Sequence, residues 1–150
     1  MLIAGHANGY RGWSVKARKI LIIDDDPSVR ECYGRLFRRA GYEPRLESGG
    51  WPVVRNPEAY RDIEVVVLDY RMPGLDGLEI LRRLRLRDFT APGLMVTAFA
   101  TAEVIEEART LGIREVFSKP VNVSQLLRAV KESLPAETSG DEEDDGRPLS

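Results

Sequence analysis

Four apolar residues in a row, Val65-Val-Val-Leu68, run into a single carboxylate, Asp69, and a turn built on Met72-Pro73-Gly74 follows at once. Without polar alternation, such a run suits a strand buried on both faces, the state of a parallel strand covered by helices. Asp69 then stands where the strand leaves the sheet, and in open α/β sheets ligands bind at that carboxyl-end edge. Three other apolar runs end in a similar way. Ile20-Leu-Ile-Ile23 runs into Asp24-Asp25-Asp26, Gly93-Leu-Met-Val ends in the hydroxyl of Thr97, and Val116-Phe-Ser leads to Lys119-Pro120. Parallel strands place these ends on one rim, so acids, a hydroxyl and an ammonium converge on Asp69. Neighbouring carboxylates repel one another, and a cation relieves the repulsion. Mg²⁺ is held by one or two carboxylates while it keeps waters and phosphate oxygens, so Asp24, Asp25 and Asp69 make a suitable site.

These ordered strand ends, with the run Met72-Pro-Gly-Leu-Asp76-Gly77, resemble the receiver domain of two-component response regulators, of the stand-alone, chemotaxis-regulator-like type. The resemblance spans about Lys19 to Leu134. It implies an α/β fold: a doubly wound, five-stranded parallel sheet of the flavodoxin-like (βα)5 kind, with strand order 2-1-3-4-5. It also implies that Asp69 accepts a phosphoryl group from a sensor histidine kinase or a histidine phosphotransfer protein. Asp25 and Asp69 would ligate Mg²⁺ directly, Asp24 largely through water, and the backbone carbonyl of Arg71 would be a further ligand. Thr97 would hydrogen-bond a phosphoryl oxygen. Lys119, aimed by a cis peptide bond to Pro120, would act as a point charge on the phosphate. The first helix would receive the phosphodonor. The face of the fourth helix, fifth strand and fifth helix would contact a downstream protein, with room for a homodimer. Arg71 and Phe99, two residues beyond Asp69 and Thr97, would control the access of water to the phosphoryl group. Receivers also carry an aromatic residue three positions before the lysine; this chain has Val116, and strand alternation turns Phe117 to the opposite face.

Charge becomes informative only when divided. Residues 135–150 hold six acids and one arginine, whereas the remainder holds 21 basic and 18 acidic residues, a mildly basic body with an acidic tail. The body is too weakly basic to argue for direct nucleic-acid binding. Residues 1–18 read as a flexible N-terminal arm, 19–134 as the domain, and 135–150 as a disordered acidic tail. Cys32 is the only cysteine, so no intramolecular disulfide forms; it reads as a small buried hydrophobe, and His6 as incidental. No apolar stretch approaches about 18 residues, so no membrane span is expected, and the first residues lack a signal-peptide pattern. The expected location is the cytoplasm.

Helix signals fill the intervals. Asp26 and Pro27 suit the start of a helix whose apolar positions are Val29, Tyr33, Leu36 and Ala40, closed by Gly41. Its arginines, Arg30, Arg35, Arg38 and Arg39, read as a solvated face. A short strand, Tyr42 to Leu46, precedes an irregular stretch in which Pro52 starts a helix and Pro57 stops it after little more than one turn. Trp51 is expected to cover the sheet edge. Asp76 reads as the cap of a helix carrying Leu78, Leu81 and Leu84, with Arg82, Arg83, Arg85 and Arg87 as its basic end. Thr101 to Leu111 reads as a helix with Ala102, Ile105, Ala108 and Leu111 on one face. Asn122 and Gln125 read as a cap with a return partner, opening a helix buried through Leu126, Leu127, Val130 and Leu134 and stopped by Pro135.

Two rivals remain at this level. Asp24-x-Asp26 after an apolar strand imitates the nucleophile motif of haloacid-dehalogenase-like phosphatases, which also use Mg²⁺ and an aspartyl phosphate. A phosphorylation-independent, receiver-like binding module is the other. The expectation is a signalling phosphoacceptor rather than an enzyme, because the strongest motif surrounds Asp69 and the full set of acids, threonine and lysine is present.

Overall fold

The computed structural model describes residues 16–136. The elements alternate as β1 (Lys19–Ile23), α1 (Pro27–Arg39), β2 (Glu43–Glu47), α2 (Trp51–Arg55), a 3₁₀ turn (Pro57–Tyr60), β3 (Val65–Asp69), α3 (Gly77–Arg85), β4 (Gly93–Thr97), α4 (Ala102–Thr110), β5 (Ile113–Ser118) and α5 (Val123–Ser133). The strands form one five-stranded sheet in the order β2-β1-β3-β4-β5, every neighbouring pair parallel. This is the doubly wound topology expected.

Strand alternation divides the core in two. Leu21, Ile23, Val66, Leu68 and Met95 face α2, α3 and α4, where Leu78, Ile80, Leu81 and Leu84 are buried. Ile20, Ile22, Val65, Val67, Leu94 and Val96 face α1 and α5 and meet Phe37, Leu126 and Val130. Apart from the terminal Lys19, Asp69 and Thr97, the three inner strands therefore carry no polar side chain. Edge strand β2 is instead Glu43-Pro-Arg-Leu-Glu47, charged and interrupted by Pro44, a composition that discourages pairing with another chain.

Several local expectations shift. Strand β2 begins at Glu43, one residue later than its pattern suggested. In α1 the deeply buried position is Phe37, fully excluded from solvent, while Ala40 is exposed at the C-cap and Leu36 only half-buried. Cys32 is exposed, not buried, because it lies off the Tyr33–Phe37 stripe. In α4 the buried pair is Val104 and Ala108, and Ala102 is exposed. Trp51 is 40% exposed, with the guanidinium carbons of Arg55 and Arg83 at 5.0 and 5.3 Å from its ring centroid, beside the turn at Gly74. Arg85 is no exterior charge either. Half-buried, it donates to the Leu111 and Phe89 carbonyls at 2.8 and 2.7 Å, tying the end of α3 to the end of α4.

The caps hold. Asp26 accepts from the Ser28 and Val29 N–H groups, Asp76 from Glu79, Thr101 from Val104 and Asn122 from Gln125. No return bond from the Gln125 side chain to Asn122 occurs. Pro57 ends α2 after five residues and starts the 3₁₀ turn. Gly41 closes α1 with φ 94°, a left-handed value that penalises any side chain. The expected N-terminal arm and acidic tail lie, from residue 15 backward and from residue 137 onward, outside the described residues.

Candidate phosphoacceptor and metal site

Register brings the acids together. Ile23 of β1 lies opposite Leu68 of β3, so the next residue of each strand, Asp24 and Asp69, leaves the sheet side by side. Asp24 and Asp69 are buried, Asp25 is exposed, and one carboxylate oxygen from each of the three lies within 4.8 Å of the others. On the other side of Asp69, Val96 is its β4 partner, which sets Thr97 one step further out and Ser118 beside it. The Lys119 N–H donates to the Thr97 carbonyl at 2.9 Å, and the Lys119–Pro120 peptide bond is cis, as expected. Lys119 Nζ then reaches Asp69 Oδ2 at 2.9 Å and Asp24 Oδ2 at 3.5 Å.

Each group is held. Asp24 Oδ1 accepts the Asp26 N–H at 2.9 Å, leaving Oδ2 toward the lysine. The Asp24 carbonyl accepts from Arg30 Nη1 at 2.7 Å. Arg30 thus serves the rim as well as the helix exterior, a role that helical spacing alone did not signal. Thr97 is fully buried and its hydroxyl accepts the Phe99 N–H at 3.0 Å. Asp26 is committed to α1, its Oδ1 taking the Ser28 N–H and Oγ–H at 2.9 and 2.8 Å.

Burial raises the Asp24 carboxyl above the ordinary range, outweighing the Asp26 N–H and Lys119. Burial pulls Lys119 down, but the hydrogen bond to Asp69 and the charges of Asp24 and Asp69 together raise it. An ammonium thus stands against three carboxylates, an excess of negative charge that a divalent cation would balance. The donor set is all oxygen, part buried and part open, and it fits a hard ion such as Mg²⁺ that keeps some waters.

Two features were only partly legible in the chain. Gly77 donates its N–H to the Tyr70 carbonyl at 2.8 Å, and a Cβ there would stand 2.4 Å from the Asp69 carbonyl oxygen. The glycine lets the start of α3 press against the backbone of Asp69, and Asp-Gly after a turn was its only signal. The Arg71 and Phe99 side chains, both exposed, stack at the rim with the guanidinium carbon 4.4 Å from the ring centroid. Val116 packs toward the α3–α4 face and Phe117 is buried against α5, so the expected opposition of these neighbours holds.

The response regulator receiver domain model matches residues 20–131. Sporulation initiation phosphotransferase F of Bacillus subtilis is 31% identical over 81% of this chain and 97% of its own length. The regulatory protein AtoC of Escherichia coli is 30% identical over 77% of this chain but only 25% of its own. Among solved structures, chemotaxis protein CheY4 of Vibrio cholerae is similar with a TM-score of 0.73 and 26% identity, covering 79% of this chain and 100% of that one.

Proposed function

Because this chain belongs to the response regulator receiver domain family, we propose that it is the phosphoacceptor of a two-component relay, with Asp69 as the residue modified. One observation carries the reading: Lys119 Nζ lies 2.9 Å from Asp69 Oδ2 within a group of three carboxylates. An Asp69 oxygen attacks the phosphorus of a phosphohistidine in line. The O–P bond forms as the P–N bond breaks, and the imidazole nitrogen keeps the electron pair and takes a proton. Lys119 neutralises charge on the transferred oxygens. Asp25 and Asp69, with Asp24 largely through water and the Arg71 carbonyl, would hold Mg²⁺, which would supply the remaining positive charge. Thr97 exchanges its Phe99 partner for a phosphoryl oxygen, and that exchange moves the start of the β4–α4 segment.

The donor is a histidine kinase or histidine phosphotransfer protein, a reading supported by the near full-length match to a protein named a sporulation phosphotransferase. That class of donor is the reason for placing the chain in the cytoplasm. The output is a protein contact on the α4–β5–α5 face. With Val116 half-buried where receivers carry an aromatic, displacement of α4 and its preceding loop conveys the signal. The chain turns over only its own phosphoryl group. The phosphatase alternative needs Asp24 as nucleophile and Asp26 as its acid; Asp26 instead caps α1, and its N–H holds Asp24 Oδ1.

Acetyl phosphate with Mg²⁺, followed by intact-mass measurement and peptide mapping, tests the assignment. A labile phosphoryl adduct on Asp69, lost without Mg²⁺ and in Asp69→Ala, is expected. An adduct on Asp24 would establish the phosphatase reading instead. No adduct from any of several small donors, nor from a phosphorylated histidine phosphotransfer protein, would leave the binding-module reading.

A further inference from the structure

The exterior arginines of α3 and of the turn after it are all answered by acids: Arg82 by Glu79 and Glu107, Arg83 by Glu79, and Arg87 by Glu58. Those of α1 are not. Arg35, Arg38 and Arg39 are exposed, and none makes an ion pair or side-chain hydrogen bond among the described residues. The one acid of α1, Glu31, makes no ion pair with them. Arginines at a helix C-terminus suit the helix dipole, but like charges three and four residues apart repel. An acidic polypeptide laid along this turn would remove that repulsion.

The chain carries such a polypeptide and leaves the described structure beside this turn. The Pro135 carbonyl accepts from Arg18 Nη2 at 2.6 Å, the Arg18 carbonyl accepts the Glu43 N–H at 2.8 Å, and the Tyr42 N–H donates to Phe37 of α1 at 2.9 Å. Residues 137–150, outside the described residues, hold six acids against one arginine, and five of the acids are consecutive, Asp141-Glu-Glu-Asp-Asp145. Asp145 lies nine residues beyond Ala136, a reach of about 30 Å when extended, whereas α1 is about 20 Å long.

We infer that Asp141–Asp145 docks on the C-terminal turns of α1, across Arg35, Arg38 and Arg39, as an intramolecular acidic strap. Where α1 also receives the phosphodonor, a point that rests on the function proposed above, the strap competes with that donor.

Cys32, exposed on α1 and the only cysteine of the chain, allows a direct test. A nitroxide on Cys32 of the full, ¹⁵N-labelled chain should broaden the amide signals of residues 141–145 several-fold more than in a chain carrying D141N, E142Q, E143Q, D144N and D145N. The excess should vanish in roughly 1 M salt, where the screening length is about 3 Å, and in the R35Q/R38Q/R39Q chain. Equal broadening in the native and neutralised tails would reduce the effect to tethering and overturn the inference. Broadening that appears only between spin-labelled and separate ¹⁵N-labelled chains would make a second copy the occupant, and would also overturn it. The readout needs no phosphoryl group, so its failure and a failure of the Asp69 chemistry are distinguishable.

Discussion

Asp24 and Asp25 are adjacent, chemically alike, and unequal in consequence. Asp24 is 2% exposed and its carboxyl is raised by burial, whereas Asp25 is open to solvent. Lys119 is the only cation in hydrogen-bond or ion-pair contact with the carboxylate groups of Asp24, Asp25 and Asp69 among the described residues. Removing it in Lys119→Ala is expected to raise Mg²⁺ affinity by at least about tenfold, because a unit charge near 4 Å is worth about 4 kcal/mol at an effective dielectric near 20 before compensation. The same variant should accept phosphoryl groups from acetyl phosphate more slowly. Titration calorimetry and mass measurement on one preparation separate the two effects; weaker Mg²⁺ binding would contradict the charge argument. At the rim, the Arg71 guanidinium and the Phe99 ring stack on each other. The Arg71→Ala, Phe99→Ala double variant should lose its phosphoryl group several-fold faster, and an unchanged decay rate would show that the pair does not restrain water.

At the scale of elements, the start of α3 fixes the backbone of Asp69. Asp76 caps the helix at Glu79 N–H with a 2.8 Å bond, and Asp76→Ala should cost about 1 kcal/mol in denaturant unfolding. Gly77→Ala should be worse, about 1–3 kcal/mol, since its methyl would meet the Asp69 carbonyl oxygen and the helix must retreat. Only Gly77→Ala should also weaken Mg²⁺ binding, because only that retreat shifts Asp69; equal Mg²⁺ affinity in both variants would refute the link. The shortness of α2 follows from Pro57, as its position implied, and the edge it leaves is tied by Tyr60. The Tyr60 hydroxyl donates to Glu47 Oε2 at 2.6 Å, and the Arg45 guanidinium lies 3.9 Å from the ring centroid.

Across the whole molecule, that tie predicts an alkaline limit. Burial, then the hydrogen bond to Glu47, pushes the Tyr60 phenol from 10.0 up to about 12. The folded state therefore keeps a proton that the unfolded chain releases. The stabilisation is complete below about pH 10 and is lost as pH rises toward about 12. Tyr60→Phe should lower the melting temperature near neutrality yet show a shallower fall between those limits. Parallel curves for the two proteins would assign the alkaline loss elsewhere, with Tyr33, pushed by burial to about 12, as the next group to test.

What the chain by itself determined is what repeats or punctuates locally. Apolar runs ending in Asp24, Asp69 and Thr97 dictated parallel buried strands with acids and a hydroxyl on one rim; Asp26-Pro27, Asp76 and Asn122 dictated helix starts; Pro57 dictated a stop. What only the tertiary structure decided is the phase of each helix on the sheet and the partners of each charge. Helical periodicity allowed either Ala40 or Phe37 to face inward, and the larger ring filled the space between α1 and the sheet, turning Cys32 outward. Arg85 and Arg82 look equivalent in sequence, yet one spans to the Leu111 carbonyl and the other to Glu107. The contact that defines the site joins Lys119 to Asp69 across fifty residues. Such contacts depend on strand order and register, which bring distant residues together through space.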